Sequence, residues 1–271
     1  MSNSPGCPPP ILSIAGSDCS AGAGIQADLK SIFALGGYGL TAITSVVSET
    51  PGRVSMIRMM DEALIRDQME ILLSAFPIKA AKTGMLGGEE QVRAVADIWG
   101  RLAQDIPLVV DPVMVATSGG KLLLDSAIEA LCDHLLPLAT LITPNMDEAE
   151  VLWHRPVKNR SEMEACARDL ADRFQTNILV KGGHLQEDKA ADVACLGGVM
   201  HWFEVERTPR VNTHGTGCTY SAAIATALGL GLDLHQAIAR AKRYVTGAIA
   251  NHHAWTFSQN AVHALNHSVM A

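Results

Sequence analysis

The stretch Asn212-Thr213-His214-Gly215-Thr216-Gly217-Cys218 precedes the apolar run TYSAAIATALGL. Gly215 and Gly217 free the backbone to turn its N–H groups toward one point. A helix starting there would add about half a positive charge at its N-terminus. Such a cradle of amides suits a phosphoryl group in flight. Cys218 would stand beside it as a thiol of reference pKa ~8.5, a value that a helix N-terminus lowers. The same residues also fit a plain glycine turn before a helix, with Cys218 as a small buried hydrophobe. The Walker A spacing GxxxxGK[ST] is absent, which excludes a P-loop protein.

A second group is Asn145-Met146-Asp147-Glu148. Asn145 can cap a helix, and acids in a first turn are ordinary. Asn145 and Glu148 could also hold Mg²⁺ through oxygen or water, with Asp111, just before Pro112, as a second acid. Lys181 and Lys242 are possible phosphate partners, although a lone lysine is more often surface charge.

Gly22-Ala23-Gly24-Ile25-Gln26-Ala27 fits G-x-G-x-x-A, and Glu49 ends a later apolar run. In a dinucleotide fold the strand runs directly into the first glycine. Here the strand ends near Gly16, and five residues, Ser17 to Ala21, intervene. The segment is better read as a loop closing over a small molecule, with Asp28 one turn into the following helix. The ten histidines are read as packing or tail residues, with His252, His253, His263 and His267 in a C-terminal tail. Met56, Met59 and Met60 are read as core or edge packing.

These residues must be positioned by alternating elements. Strands are predicted over 11–16, 39–48, 78–84, 106–111, 139–144 and 177–183, with a hairpin near 191–205 around Gly197-Gly198. Helices are predicted over 24–35, 61–76, 88–104, 125–136, 145–153, 161–174, 215–229 and 233–251, from apolar positions at helical spacing. That order implies an α/β fold with a mostly parallel central sheet and helices on both faces. Ligands in such folds bind beyond the carboxyl ends of the strands. Those ends carry Gly16-Ser17-Asp18, Ser48-Glu49-Thr50, Lys82-Thr83-Gly84-Met85, Asp111-Pro112, Pro144-Asn145 and Lys181-Gly182-Gly183-His184. Six polar or glycine-bearing ends on one edge point to a site.

Composition bounds the rest. The 271 residues are 48% hydrophobic but only 4% aromatic, so aliphatic side chains must fill the core. Acids outnumber bases 28 to 21, a formal charge of −7. That argues against general binding to nucleic acid or an anionic membrane. Six dispersed cysteines without a CxxC pair argue against a disulfide framework and favour the cytoplasm. There is no apolar run of 18 residues, so no membrane span is expected. Residues 1–10 are expected to be a flexible N-terminal tail, and 11–271 a single domain.

Taken together, Ile14-Ala15-Gly16-Ser17-Asp18, Gly22 to Lys30, Lys82-Thr83-Gly84-Met85, Asp111-Pro112-Val113-Met114, Thr143-Pro144-Asn145, Lys181-Gly182-Gly183-His184 and His214 to Cys218 resemble one family. It is the hydroxymethylpyrimidine/phosphomethylpyrimidine kinases of thiamine biosynthesis, in the ribokinase superfamily. The likeness runs in order from about residue 11 to about residue 250. It implies a ribokinase-like three-layer fold, ATP and Mg²⁺, commonly a homodimer, and a small-molecule substrate. That substrate is 4-amino-5-hydroxymethyl-2-methylpyrimidine and then its monophosphate. By matching position, Gly16, Asp28, Glu49, Met85, Val113 and Cys218 should surround the pyrimidine. Lys181, Asn145, Thr213, Lys242, Glu148, Asp111 and the loop Gly215-Thr216-Gly217-Cys218 should face ATP, metal or the moving phosphate.

Two positions need a physical account. Sugar kinases of the superfamily usually carry Asp as base where this chain has Cys218, so Cys218 is expected to accept the hydroxymethyl proton late in the transfer. The family usually has Gln where this chain has Glu49, and a carboxylate can only accept hydrogen bonds. It suits a pyrimidine protonated on the ring, or a Glu49 kept neutral by burial. The rival readings are a pyridoxal kinase-like enzyme, a sugar kinase, a non-catalytic nucleotide or vitamin binder and a dinucleotide oxidoreductase.

Overall fold

The computed structural model describes residues 6–114, 125–183, 185, 187–208, 214–257 and 260–269. The chain runs β1 (Pro10–Asp18), α1 (Gly24–Ala34), β2 (Tyr38–Thr50), β3 (Arg53–Met59), α2 (Glu62–Ala75), β4 (Ala80–Thr83), α3 (Glu89–Leu102) and β5 (Leu108–Val110). It continues through α4 (Asp125–Ala130), β6 (Leu141–Ile142), α5 (Met146–Trp153), α6 (Arg160–Phe174), β7 (Asn177–Val180), β8 (Lys189–Leu196), β9 (Val199–Glu206), α7 (Thr216–Gly229) and α8 (Leu234–Ala250). The last elements are β10 (His253–Phe257) and β11 (Asn260–Ala264).

Nine strands form one sheet in the order β3-β2-β1-β4-β5-β6-β7-β8-β9. The six strands from β2 to β7 in that order pair in parallel, and β3, β8 and β9 are antiparallel additions at the two edges. Side-chain alternation divides the core into two layers. Ile11, Val109, Leu141 and Leu179 face α1, α7 and α8. Leu12, Val110, Ile142 and Ile178 face the layer built from α2 to α6. The three-layer α/β fold expected from the sequence is therefore present. Local signals agree with it: α3 opens on Glu89 and Glu90 and closes on Arg101, which complements its dipole.

Four expectations need correction. The tail gives way before residue 10. Pro9 C=O accepts the Tyr38 N–H and Pro10 already pairs with Tyr38, because a proline fits the first position of a strand. Met56 and Met59, read as core or edge packing, lie on a strand that the sequence reading does not predict, β3. It is an edge strand with no buried face, so its sequence lacks the alternation that marks a half-buried strand. The helix expected over 125–136 is α4 followed by a π turn, Leu131–Leu135, and a 3₁₀ turn, Leu136–Leu138, where Pro137 prevents a regular continuation. The C-terminal histidines occupy no loose tail: His253 and His263 belong to the β10–β11 hairpin. Among the described residues, no helix is long and apolar enough to cross a membrane.

Candidate active site

The carboxyl ends of β1, β2, β4, β5, β6 and β7 meet the N-terminus of α7. Gly215 caps α7 at φ +84°, and a Cβ there would lie 1.8 Å from Gly22 O. The glycine loop and the helix start thus touch backbone to backbone, an approach only glycine permits. Gly24 does the same against Gly16 O at the end of β1.

Beneath this contact lies an ion pair. Lys82 Nζ is 3.1 Å and 3.2 Å from the two Asp28 oxygens, and Ser13 Oγ donates to Asp28 over 2.6 Å. Both charged side chains are fully buried. Burial opposes the Lys82 charge, but Asp28, Cys218 and Asp111 around it hold its pKa above the usual value. Cys218 lies within the influence of Lys82, Asp28 and Asp111 and accepts from the Gly24 N–H. Burial outweighs the helix terminus and the cation and pushes the thiol up to about 11. The expected lowering of the Cys218 pKa is overturned: desolvation penalises the thiolate more than the α7 terminus favours it.

A second ion pair flanks the first turn of α7. Lys181 Nζ lies 2.7 Å from Asp111 Oδ1, which also accepts from Thr143 Oγ1. A Cβ on Gly217 would come to 3.3 Å from both Asp111 and Lys181, so the small residue lets the helix start pack against them. Asn145 and Glu148 form a reciprocal capping box on α5: Glu148 N–H donates to Asn145 Oδ1, and Asn145 N–H to Glu148 Oε2. Burial, opposed by Lys181 and reinforced by Asp111, pushes the Glu148 carboxyl up to about 7. Two buried acids with one lysine leave this corner short of positive charge. That donor chemistry, carboxylate oxygens with adjoining hydroxyls, fits a hard divalent cation.

At the rim, Asp18 accepts from the N–H groups of Ser20, Gly22 and Ala23 and from Ser20 Oγ. His214 Nε2 lies 3.0 Å from Asp18 and 3.8 Å from Glu49. Burial raises the Asp18 carboxyl, but His214 and the Ser20 and Ala23 donors hold it at about 2. His214, hydrogen-bonded to Asp18, is raised in turn.

The structure therefore gathers Gly16, Glu49, Gly215, Thr216, Gly217, Cys218, Asp111, Asn145, Glu148 and Lys181 at the carboxyl ends of the strands around the α7 N-terminus, with Asp28 buried beneath them. The Met85 methyl is 3.8 Å from a Cβ position on Gly16, and Gly16 N–H donates to Met85 O. Val113 follows Asp111 and donates to its carbonyl. Lys242 departs from expectation. Its amine is 2.6 Å from Asp192, whose other oxygen accepts the Gly182 N–H, so it braces β8 against the end of β7. Thr213, Asn212 and His184 lie outside the described residues. Sequence reasoning assigned no role to Lys82, Asp18 or His214. The available signal for the first was Lys82 near the carboxyl end of the apolar strand in IKAAKTG, where the other lysine, Lys79, precedes the strand. For Asp18 the signal was its place at the end of a strand, and for His214 its place in the glycine turn before α7.

Residues 18–263 match the family model described as phosphomethylpyrimidine kinase. The chain is 41% identical over 240 residues to the hydroxymethylpyrimidine/phosphomethylpyrimidine kinase of Rhizobium meliloti, covering 88% of this chain and 90% of that one. It is 42% identical over 239 residues to the thiamine biosynthesis bifunctional protein ThiED of Geobacter sulfurreducens, covering 88% of this chain but only 49% of that protein. The chain thus spans about half the length of that bifunctional relative. Among solved structures, the ADP complex of Bacillus subtilis pyridoxal kinase superposes with a TM-score of 0.86 at 33% identity, covering 96% of this chain and 98% of that one.

Proposed function

The chain belongs to the phosphomethylpyrimidine kinase family, and from that premise we propose that it phosphorylates 4-amino-5-hydroxymethyl-2-methylpyrimidine and then its monophosphate, using ATP. The observation that carries the proposal is the convergence of the α7 amides, Cys218 and the buried Lys82–Asp28 pair at one rim. The hydroxymethyl oxygen attacks the γ-phosphorus, the bond to the ADP oxygen breaks, and the alcohol proton passes to Cys218 in its thiolate form. A thiol at about 11 is four pH units from that form at neutrality, a penalty of about 5 kcal/mol. Phosphoryl transfer through a loose transition state asks little of its base, so amides and cations carry most of the stabilisation.

Asp111 and Glu148 would hold Mg²⁺, which when bound neutralises charge on the phosphates. Lys181 orients Asp111, and the Asn145 capping box orients Glu148. Gly16, Met85 and Val113 would line the pyrimidine, with Glu49 at its edge. Thr213 would join the ATP contacts. We further infer one domain, a homodimer and a cytoplasmic enzyme. Exposed Phe33 and Met56 (83% and 65%) and six unpaired cysteines support the last two.

The likeness to pyridoxal kinase supports a second reading, vitamin B6 phosphorylation at the same site. ATP consumption measured side by side decides. The proposal requires a higher kcat/KM for the hydroxymethylpyrimidine than for pyridoxal, and the reverse order overturns it.

A further inference from the structure

Glu49 differs from every other acid at the rim in having no donor of its own. Among the described residues, no N–H or O–H hydrogen-bonds its carboxylate, whereas Asp18 beside it accepts from four donors and from His214. One imidazole nitrogen, His214 Nε2, stands between the two carboxylates, 3.0 Å from Asp18 and 3.8 Å from Glu49. The donor atoms of the three residues lie within 4.8 Å of one another. Asp18 is too fully engaged to serve as a metal ligand, so the arrangement is a charge balance. Asp18 comes from β1, Glu49 from β2 and His214 from the turn before α7. Among the described residues, Asp18 and His214 are the charged groups that act on Glu49. β3 presents Val54 opposite it, and Cys19 Sγ lies 3.3 Å from its backbone nitrogen. Asp18 and His214 pair with each other, a contact that raises the His214 pKa, and Glu49 is left to set the sign of the pocket.

A 4-aminopyrimidine presents an N–H donor beside a ring-nitrogen lone pair. A carboxylate offers acceptors only, so one pair of facing atoms would be lone pair against lone pair. One added proton turns the contact into a fork of two parallel hydrogen bonds. Resting on the reading of the site as an aminopyrimidine kinase, we propose that substrate binding takes up one proton from solvent. That proton is shared between Glu49 and the ring nitrogen beside the amino group. His214 is the positioning residue that keeps Glu49 a carboxylate until the ring arrives. Burial and Asp18 raise the Glu49 pKa and His214 opposes them, so the side chain is poised to share a proton. Whether the proton rests on oxygen or nitrogen, the count is the same.

Isothermal titration of the full chain with the hydroxymethylpyrimidine, in buffers of different ionisation enthalpy, reads the protons taken up. The wild type should take up one proton at mildly alkaline pH, and its affinity should fall tenfold per pH unit above the onset. Glu49→Gln should exchange none. His214→Gln should move the onset to higher pH, because losing the cation leaves Glu49 protonated longer; a purely structural role would weaken binding without moving the onset. Binding by the wild type without proton exchange, alongside continued turnover, overturns this proposal and leaves the kinase reading intact. Neither binding nor turnover of the hydroxymethylpyrimidine overturns both.

Discussion

Asp28→Asn is the perturbation whose size the structure fixes best. Asp28 and Lys82 have fully buried side chains, joined by contacts of 3.1 Å and 3.2 Å. An amide at position 28 still offers Ser13 an acceptor but removes the charge, leaving the Lys82 ammonium buried without its counter-ion. Breaking a buried pair from one side costs about 3–5 kcal/mol. At a urea m-value of roughly 3 kcal/mol/M, the unfolding midpoint should fall by about 1–1.7 M. The double variant Asp28→Leu with Lys82→Met should recover most of that loss, since an apolar pair of similar volume leaves no unpaired charge. Equilibrium urea unfolding followed by circular dichroism measures both. A loss below about 1 kcal/mol for Asp28→Asn would show that solvent reaches Lys82 and would refute the buried-pair argument.

Four further outcomes follow from the site. Because the Cys218 thiol is held at about 11, kcat should still be rising about tenfold per pH unit between pH 7 and 9; a plateau below pH 8 removes Cys218 as the base. Cys218→Ala should lower kcat by about 10²–10⁴ while leaving the KM for ATP nearly unchanged, as steady-state kinetics will read. Gly215→Ala places a Cβ 1.8 Å from Gly22 O at a φ of +84°, so it should reduce kcat/KM by more than about 100-fold; near wild-type activity would mean the loop contact does not set the amide cradle. EDTA should abolish turnover, and Glu148→Gln should raise the Mg²⁺ needed for half-maximal rate by about tenfold; an unchanged Mg²⁺ requirement takes Glu148 out of the metal site.

The parallel strands were legible because each is an apolar run that ends in glycine or a polar residue. β1, β5 and β7 follow that rule closely. β3 and the β10–β11 hairpin were not legible, because exposed edge strands carry no buried face for the sequence to display. In the site, Cys218, Asp28 and the α7 glycines stood out by type and spacing. The partners that set their chemistry did not. Lys82 is 54 positions from Asp28, about 180 Å of fully extended chain at ~3.3 Å per residue, yet the fold brings them into one ion pair. His214 meets Asp18 across 196 positions. Lys242 carried the right charge for phosphate, but only the fold shows Asp192 beside it. The Cys218 pKa was misjudged because desolvation depends on what surrounds the thiol, which a local motif does not encode.

The most direct test is mass spectrometry of the products formed by the full chain from 4-amino-5-hydroxymethyl-2-methylpyrimidine, ATP and Mg²⁺. A monophosphate should appear first and a diphosphate accumulate at its expense. Unphosphorylated pyrimidine, recovered intact from an enzyme that phosphorylates pyridoxal under the same conditions, would contradict it.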